Sequence, residues 1–117
     1  MNAYTKKQLR EGIQLSYTED GEVEVLVSVG YGAGWSTWGE FSLAVDKRII
    51  DHFKTHGKGL KREEVTEFCE QLGYGWVYGG GWRDLKIETV PKGVKFYIKE
   101  VDGAESLVIV REHFYEF

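Results

Sequence analysis

The residues best equipped for chemistry lie in two segments, Gly30-Tyr31-Gly32-Ala33-Gly34-Trp35-Ser36-Thr37-Trp38-Gly39 and Gly73-Tyr74-Gly75-Trp76-Val77-Tyr78-Gly79-Gly80-Gly81-Trp82. Together they hold nine of the fifteen glycines and all four tryptophans, and each begins Gly-Tyr-Gly. Glycine permits positive φ and lets a backbone approach another group closely, while Tyr and Trp add flat apolar faces with a polar tip. That mixture suits a planar ligand carrying anionic groups. Nucleobases stack on aromatic rings for roughly 1–3 kcal/mol each, and phosphates take hydrogen bonds from loop amides or from a helix start. Arg48 and Arg83 are the nearest cations, with Lys47 beside Arg48, and Ser36 and Thr37 add hydroxyls. The candidate ligand-binding set is Tyr31, Gly32, Gly34, Trp35, Ser36, Thr37, Trp38, Arg48, Tyr74, Trp76, Tyr78, Gly80, Trp82, Arg83 and Asp84. Glycine and tryptophan also cluster where a small sheet bends and a large ring plugs the core, so a packing role stands beside the binding role. The run Gly79-Gly80-Gly81 points to a tight turn or to a backbone that something else approaches closely.

Other chemistries find less in the chain. Gly30-x-Gly32-x-Gly34 lacks the spacing of a dinucleotide fingerprint, and no Gly-Lys-Ser/Thr follows it. His52 and His56 have the i, i+4 spacing of a metal pair, with Asp51 adjacent and His113 remote, but the glutamate of a metalloprotease helix is missing. Two surface histidines near a helix C-terminus account for them, and no metal or cofactor is expected. Cys69 falls on an apolar stripe with Phe68 and Leu72 and reads as a small hydrophobe rather than a nucleophile. Glu40, Asp46, Asp84 and Glu88 show no diagnostic pairing for acid-base work, and Asp84, beside the second loop, is the best single candidate among them. No catalytic residue is assigned, and the expected role is binding rather than turnover.

The elements that must carry these loops follow from periodicity. Ile13 to Tyr17 and Glu22 to Val29 read as two antiparallel strands joined through Glu19-Asp20-Gly21. In the second, Val23, Val25, Val27 and Val29 share a buried face, leaving Glu22, Glu24, Leu26 and Ser28 on a mostly wet one. From Ser42, a candidate N-cap, Val45, Ile49 and Phe53 recur every four residues as on an amphipathic helix ending near Gly57. A second helix covers Lys61 to Leu72, with Gly73 at the C-cap position. Period two returns in Leu85 and Ile87, then Val94, Phe96 and Ile98, then Leu107 and Ile109, as a three-strand meander. The expected fold is α+β, an antiparallel sheet of about five strands with a pair of helices packed on one face. Met1 to Arg10 fits either a helical turn or an added strand, and the aromatic tail Glu112 to Phe117 is expected to dock on its own domain or on another subunit.

Size and charge narrow the function. A chain of 117 residues fits one domain, residues 1–117. Nineteen acidic against fifteen basic side chains give a net charge of −4, which opposes sequence-independent binding to a nucleic-acid backbone. No apolar run suits a membrane span and the first ten residues lack a signal peptide's apolar centre, so a cytoplasmic protein without membrane partners is expected. One cysteine excludes an internal disulfide.

On the segments Gly30-Tyr31-Gly32-Ala33-Gly34-Trp35-Ser36-Thr37-Trp38 and Gly79-Gly80-Gly81-Trp82-Arg83-Asp84-Leu85, the chain resembles small accessory proteins of tailed bacteriophages, over about Val23 to Leu107. The resemblance brings no residue roles. It implies the cytoplasm of an infected bacterial host, where proteins of this size often counter host defence by occupying a host protein or by binding a nucleotide signal. The leading expectation is therefore a protein that sequesters a small nucleotide-derived signal in an aromatic and glycine-loop pocket, shared between subunits of a homo-oligomer. The alternative is an interaction protein that docks on a host enzyme through the same loops. A small phosphodiesterase using Asp84 and a histidine ranks third.

Overall fold

The computed structural model describes residues 9–110, so the tail after Val110 and most of the N-terminal segment lie outside the described residues. The fold is α+β. Strand β1, Val23–Ser28, pairs antiparallel with β2, Leu85–Val90, in the register Val23↔Val90 to Ser28↔Leu85. Strands β3, Phe96–Val101, and β4, Ala104–Ile109, form a second antiparallel pair. Asp102 and Gly103 turn that hairpin with φ of 49° and 88°, the left-handed pair that a two-residue loop requires.

Four strands in two separate sheets replace the expected single sheet of about five. The segment Ile13 to Tyr17 makes only two isolated bridges, Leu15 to Asp46 and Tyr17 to Val23. Its backbone is drawn to the helical layer, where Gln14 accepts a hydrogen bond from the Lys47 amide at 2.9 Å. The expected meander divides for a similar reason. β2 spends its pairing edge on β1, and the Ser28 amide of β1 is taken at 2.9 Å by the side chain of Glu105 on β4. A carboxylate, rather than a backbone ladder, joins the two sheets.

The long helix expected from Ser42 is broken. Helix α1 covers Ser42–Val45 and α2 covers Lys47–His56, with Asp46 between them in extended backbone at φ −68° and ψ 116°. Asp46 caps α2 by accepting from the Arg48 amide at 2.9 Å, while the Ser42 hydroxyl accepts from the Arg10 amide at 2.8 Å. Gly57, at φ 60°, ends α2. Helix α3, Arg62–Gln71, starts where Glu64 accepts from the Lys61 amide at 2.9 Å and ends before Gly73, whose φ of 95° marks a left-handed cap.

Both faces of β1 are buried, against the expectation of one wet face. Leu26 packs with Ile49, Ile50, Val65, Cys69 and Leu85 under α2 and α3, whereas Val25 and Val27 pack with Phe41, Ala44, Val45, Val90 and Ile98. Helices therefore flank β1 on both sides instead of one. Each such aliphatic side chain contributes roughly 1.5–3 kcal/mol on burial, which outweighs the cost of enclosing one well-paired acid. Glu24, expected to face water, is buried and paired with the Ser16 hydroxyl at 2.5 Å and Lys54 at 2.7 Å. Burial alone would raise the Glu24 carboxyl, but Lys54 and Ser16 hold it below the ordinary range.

Glu105 is buried and accepts four hydrogen bonds: from the amides of Ser28, Trp35 and Thr37 at 2.9, 2.9 and 3.0 Å, and from the Thr37 hydroxyl at 2.5 Å. Glu105→Ala leaves these donors inside without an acceptor and is expected to destabilise the protein by at least about 2 kcal/mol. Glu105→Gln retains one acceptor oxygen and should cost less. Urea midpoints of the two variants check the order, and equal stability of Glu105→Ala and wild type would refute the role.

Candidate functional site

Both aromatic loops begin from anchored elements and cross each other. The first leaves β1, and the second leaves the glycine cap of α3 and enters β2 through a 3-10 turn, Gly79–Asp84. A Cβ on Gly81 would strike the Gly34 carbonyl, and one on Gly79 would strike the Arg62 carbonyl. Two of the three consecutive glycines thus let the second loop lie backbone to backbone on the first loop and on the start of α3. A Cβ on Gly34 would sit 2.6 Å from the Trp38 ring, so the first loop also folds tightly on itself.

The four tryptophans divide into two groups. Trp35 and Trp82 are each 1% exposed, with ring centroids 5.8 Å apart edge to face. The Trp35 indole donates to the Leu43 carbonyl and the Trp82 indole to the Gly57 carbonyl, both at 2.8 Å. They satisfy their polar atoms and clamp the loops onto the core. Trp38 and Trp76 stay outside, 40% and 71% exposed, flanking Tyr78 with centroid distances of 5.2 and 6.0 Å. The Arg62 guanidinium lies over the Tyr78 ring, 4.9 Å from its centroid. Tyr31 is 78% exposed.

A concavity of about 320 Å³ opens where the loops cross. Tyr31, Gly32 and Ala33 line it from the first loop, Tyr78, Gly79, Gly80, Trp82 and Arg83 from the second, and Leu60 and Arg62 from the start of α3. The structure therefore brings Tyr31, Gly32, Tyr78, Gly80, Trp82 and Arg83 of the expected set together within one chain. Gly34, Trp35 and Ser36 lie buried beneath the loop, and Thr37 is turned toward Glu105. Trp38 and Trp76 support Tyr78 from outside. The Asp84 carboxylate lies against Gly30, whose Cβ position is 2.6 Å from it, and the Asp84 carbonyl accepts from the Val29 amide at 3.0 Å.

Arg48 and Tyr74 belong to another constellation. The buried Asp46 carboxylate accepts from Arg48 Nη2 at 2.7 Å and from the Tyr74 hydroxyl at 2.8 Å. Burial pushes the Asp46 carboxyl up, but the Arg48 and Tyr74 hydrogen bonds outweigh it and leave the group below its ordinary value. Burial and the bond to Asp46 raise the Tyr74 phenol. Arg10 lies 4.5 Å from the Tyr74 ring centroid and pairs with Glu40 at 2.6 Å. This network caps α2 and secures the chain before β1.

Arg62 is the lining cation that periodicity does not point to. It stands eleven residues before the second loop begins at Gly73, and the close approach of Gly79 to its carbonyl brings it to the concavity. Neither Arg62 nor Arg83 has a carboxylate partner among the described residues, and no carboxylate among them lines the space. Among the described residues the lining thus carries two positive side chains and no negative one, in a chain whose net charge is −4.

Elsewhere, His52 stacks on Phe68 at 3.7 Å with 7° between the planes and lies 4.3 Å from the His56 ring. Burial, then the charge of His56, lowers the His52 value. Among the described residues no three potential ligands converge on a metal position, and His113 lies outside them. Cys69 is buried, and its thiol is pushed up to about 12 by burial and by Asp46, so it stays protonated at neutral pH. No helix among the described residues is long and apolar enough to cross a membrane. Comparison with family models, curated proteins and solved structures returns no match.

Gly81→Ala is expected to cost about 1–3 kcal/mol, because a methyl group forces two backbones apart. Thermal unfolding measures this loss, and an unchanged midpoint would show that the loops do not cross as described. The Asp46 network makes a pH-dependent contribution. Its carboxyl is lower in the folded chain than unfolded, so the stabilisation is complete above the unfolded value near 4 and fades as pH falls through the folded value. Tyr74→Phe should therefore cost roughly 1.5–3 kcal/mol at neutral pH, with the gap from wild type narrowing in acid. Urea unfolding at several pH values tests this, and a constant gap would contradict it.

Proposed function

We propose that this protein binds and sequesters a small nucleotide-derived ligand in the concavity between its two aromatic loops, without catalysing its conversion. The observation that carries the reading is the pair Arg62 and Arg83, without carboxylate partners among the described residues, beside aromatic rings in an otherwise acidic chain. Guanidinium groups recognise phosphate through paired, charge-assisted hydrogen bonds, and Tyr31 offers an open ring face for a base. No histidine or carboxylate among the described residues lines the space, so the lining supplies no general base of that kind there. The resemblance to phage accessory proteins supports a signal of host defence as the ligand, bound in the cytoplasm of an infected cell. Sequestration requires tight, stoichiometric binding rather than turnover.

A second reading rests on a different observation. Tyr31 and Trp76 expose most of their surface, and aromatic residues of this kind anchor protein interfaces. The chain would then dock on a host enzyme through its loops. Trp76 lies outside the concavity lining and only braces Tyr78, so Trp76→Ala separates the two readings: it should abolish docking but weaken small-ligand affinity no more than Tyr78→Leu does.

Release of bound material from the purified, denatured protein followed by mass spectrometry identifies a co-purified nucleotide, and tryptophan fluorescence during nucleotide titration reports binding. Arg62→Gln and Arg83→Gln should each weaken that binding by about tenfold, corresponding to roughly 1.4 kcal/mol, while stability falls by no more than about 1 kcal/mol for Arg62→Gln, which loses its stacking on Tyr78, and stays unchanged for the exposed Arg83→Gln. Unaltered affinity in both variants would remove the concavity as the site. Recovery of a chemically changed ligand would move the protein to the enzymes.

A further inference from the structure

Resting on the sequestration reading, we infer that the concavity selects one nucleoside-sized unit ending in a phosphomonoester, in preference to phosphodiester ligands such as cyclic nucleotides. Charge is the first ground. Arg62 and Arg83 each carry a permanent positive charge, and among the described residues no carboxylate pairs with either or lines the space. A phosphomonoester brings about −1.5 to −2 charge and three terminal oxygens, enough to receive two guanidinium forks. A phosphodiester brings a single charge and two terminal oxygens, so one of the two cations goes without a full partner.

Placement is the second ground. The Arg62 guanidinium rests on Tyr78, which Trp38 and Trp76 flank at 5.2 and 6.0 Å, and the Arg62 carbonyl is packed against Gly79. Arg83 follows Trp82, whose ring is buried and whose indole is bonded to the Gly57 carbonyl. Each cation thus extends from an anchored neighbour, which reduces the side-chain entropy lost on gripping a small anion. Tyr78 is a positioning residue for Arg62, and this gives the exposed aromatic row a role in binding.

Size is the third ground. A space of about 320 Å³ lies at the lower end of ordinary ligand sites, which run from roughly 300 to 1,000 Å³. That scale corresponds to one base and sugar with its phosphate. Tyr31, at the rim beside Gly32, whose φ is 82°, is the ring available to the base.

Calorimetric titration of the full chain with adenosine and guanosine 5′-monophosphates, their 5′-phosphate methyl esters, the matching 3′,5′-cyclic monophosphates, a cyclic dinucleotide and inorganic phosphate tests the inference. The methyl ester preserves shape almost unchanged and removes one charge. The expected result is that at least one monophosphate binds about tenfold or more tightly than its methyl ester and cyclic form, and more tightly than inorganic phosphate. Arg83→Gln should shrink the preference severalfold, and Tyr78→Leu should weaken the monophosphate while leaving a folded protein by circular dichroism. Equal or tighter binding of a diester or cyclic dinucleotide, still weakened by Arg83→Gln, would overturn the monoester selection and leave sequestration standing. Inorganic phosphate binding as tightly as every nucleotide would overturn the requirement for a nucleoside. Absence of binding by all of these probes would overturn the inference together with the reading beneath it.

Discussion

Three backbone amides, from Ser28, Trp35 and Thr37, converge on the Glu105 carboxylate, and the first loop keeps its shape because they do. Orphaned amides inside a protein each carry a penalty of about 1–3 kcal/mol, so a loop that turns inward immediately after a strand needs an internal acceptor. Glu105 supplies it from a strand that makes no ladder with β1. The acid therefore does two jobs that a continuous sheet would otherwise perform: it occupies a donor at the end of β1 and fixes the second sheet relative to the first. With the loop held, Gly103 can pack against the Ala33 amide, and Tyr31 is presented at the rim.

The second loop relies on that arrangement through contact rather than hydrogen bonding. Gly81 lies on the Gly34 carbonyl, and Gly79 lies on the Arg62 carbonyl, so three chain segments meet at positions that tolerate no side chain. Glycine runs lose more conformational entropy on folding than other residues, and the two clamped tryptophans offset that loss by enclosing large rings with satisfied indole N–H groups. The concavity is what remains above the crossing. Its polarity comes from Arg62 at the start of α3 and from Arg83 just after the second loop.

Local signals located much of this. Gly57 and Gly73 end helices where their positive φ is needed, and the period-two stretches form strands at Val23–Ser28, Leu85–Val90, Phe96–Val101 and Ala104–Ile109. What the pattern could not express was pairing. Asp46 sits within a helical period, yet its carboxylate finds Arg48 and Tyr74 and caps a new helix, a contact spanning 28 residues with Tyr74. Glu24 alternates as a solvent-facing residue should, and Lys54, thirty residues away, makes its burial tolerable. In the loops, residue type identified the aromatic and glycine-rich character, but Trp35 and Trp38 look equivalent in sequence and have opposite fates. Which of them enters the core depends on Leu43 offering its carbonyl. Arg62 was hidden for the same reason, since its link to the concavity is a backbone contact with Gly79.

The exposed aromatic row has a physical logic that follows from charge. A long cationic side chain on an acidic protein tends to fold toward a neighbouring carboxylate, and Glu63 and Glu64 adjoin Arg62 in sequence. Stacking on Tyr78 gives the guanidinium an alternative partner without neutralising it, with about 0.5–1 kcal/mol of attraction at an exposed site. A carboxylate in that position would hold the arginine equally well but cancel the field it projects into the concavity. An aromatic ring holds the cation and leaves its charge available to a ligand. Tyr78 in turn requires lateral support, which Trp38 and Trp76 provide from opposite loops. Surface tryptophan is thus compatible with an open concavity here: the rings brace the cation from outside, while Tyr31, the two arginines and the glycine backbone line the space.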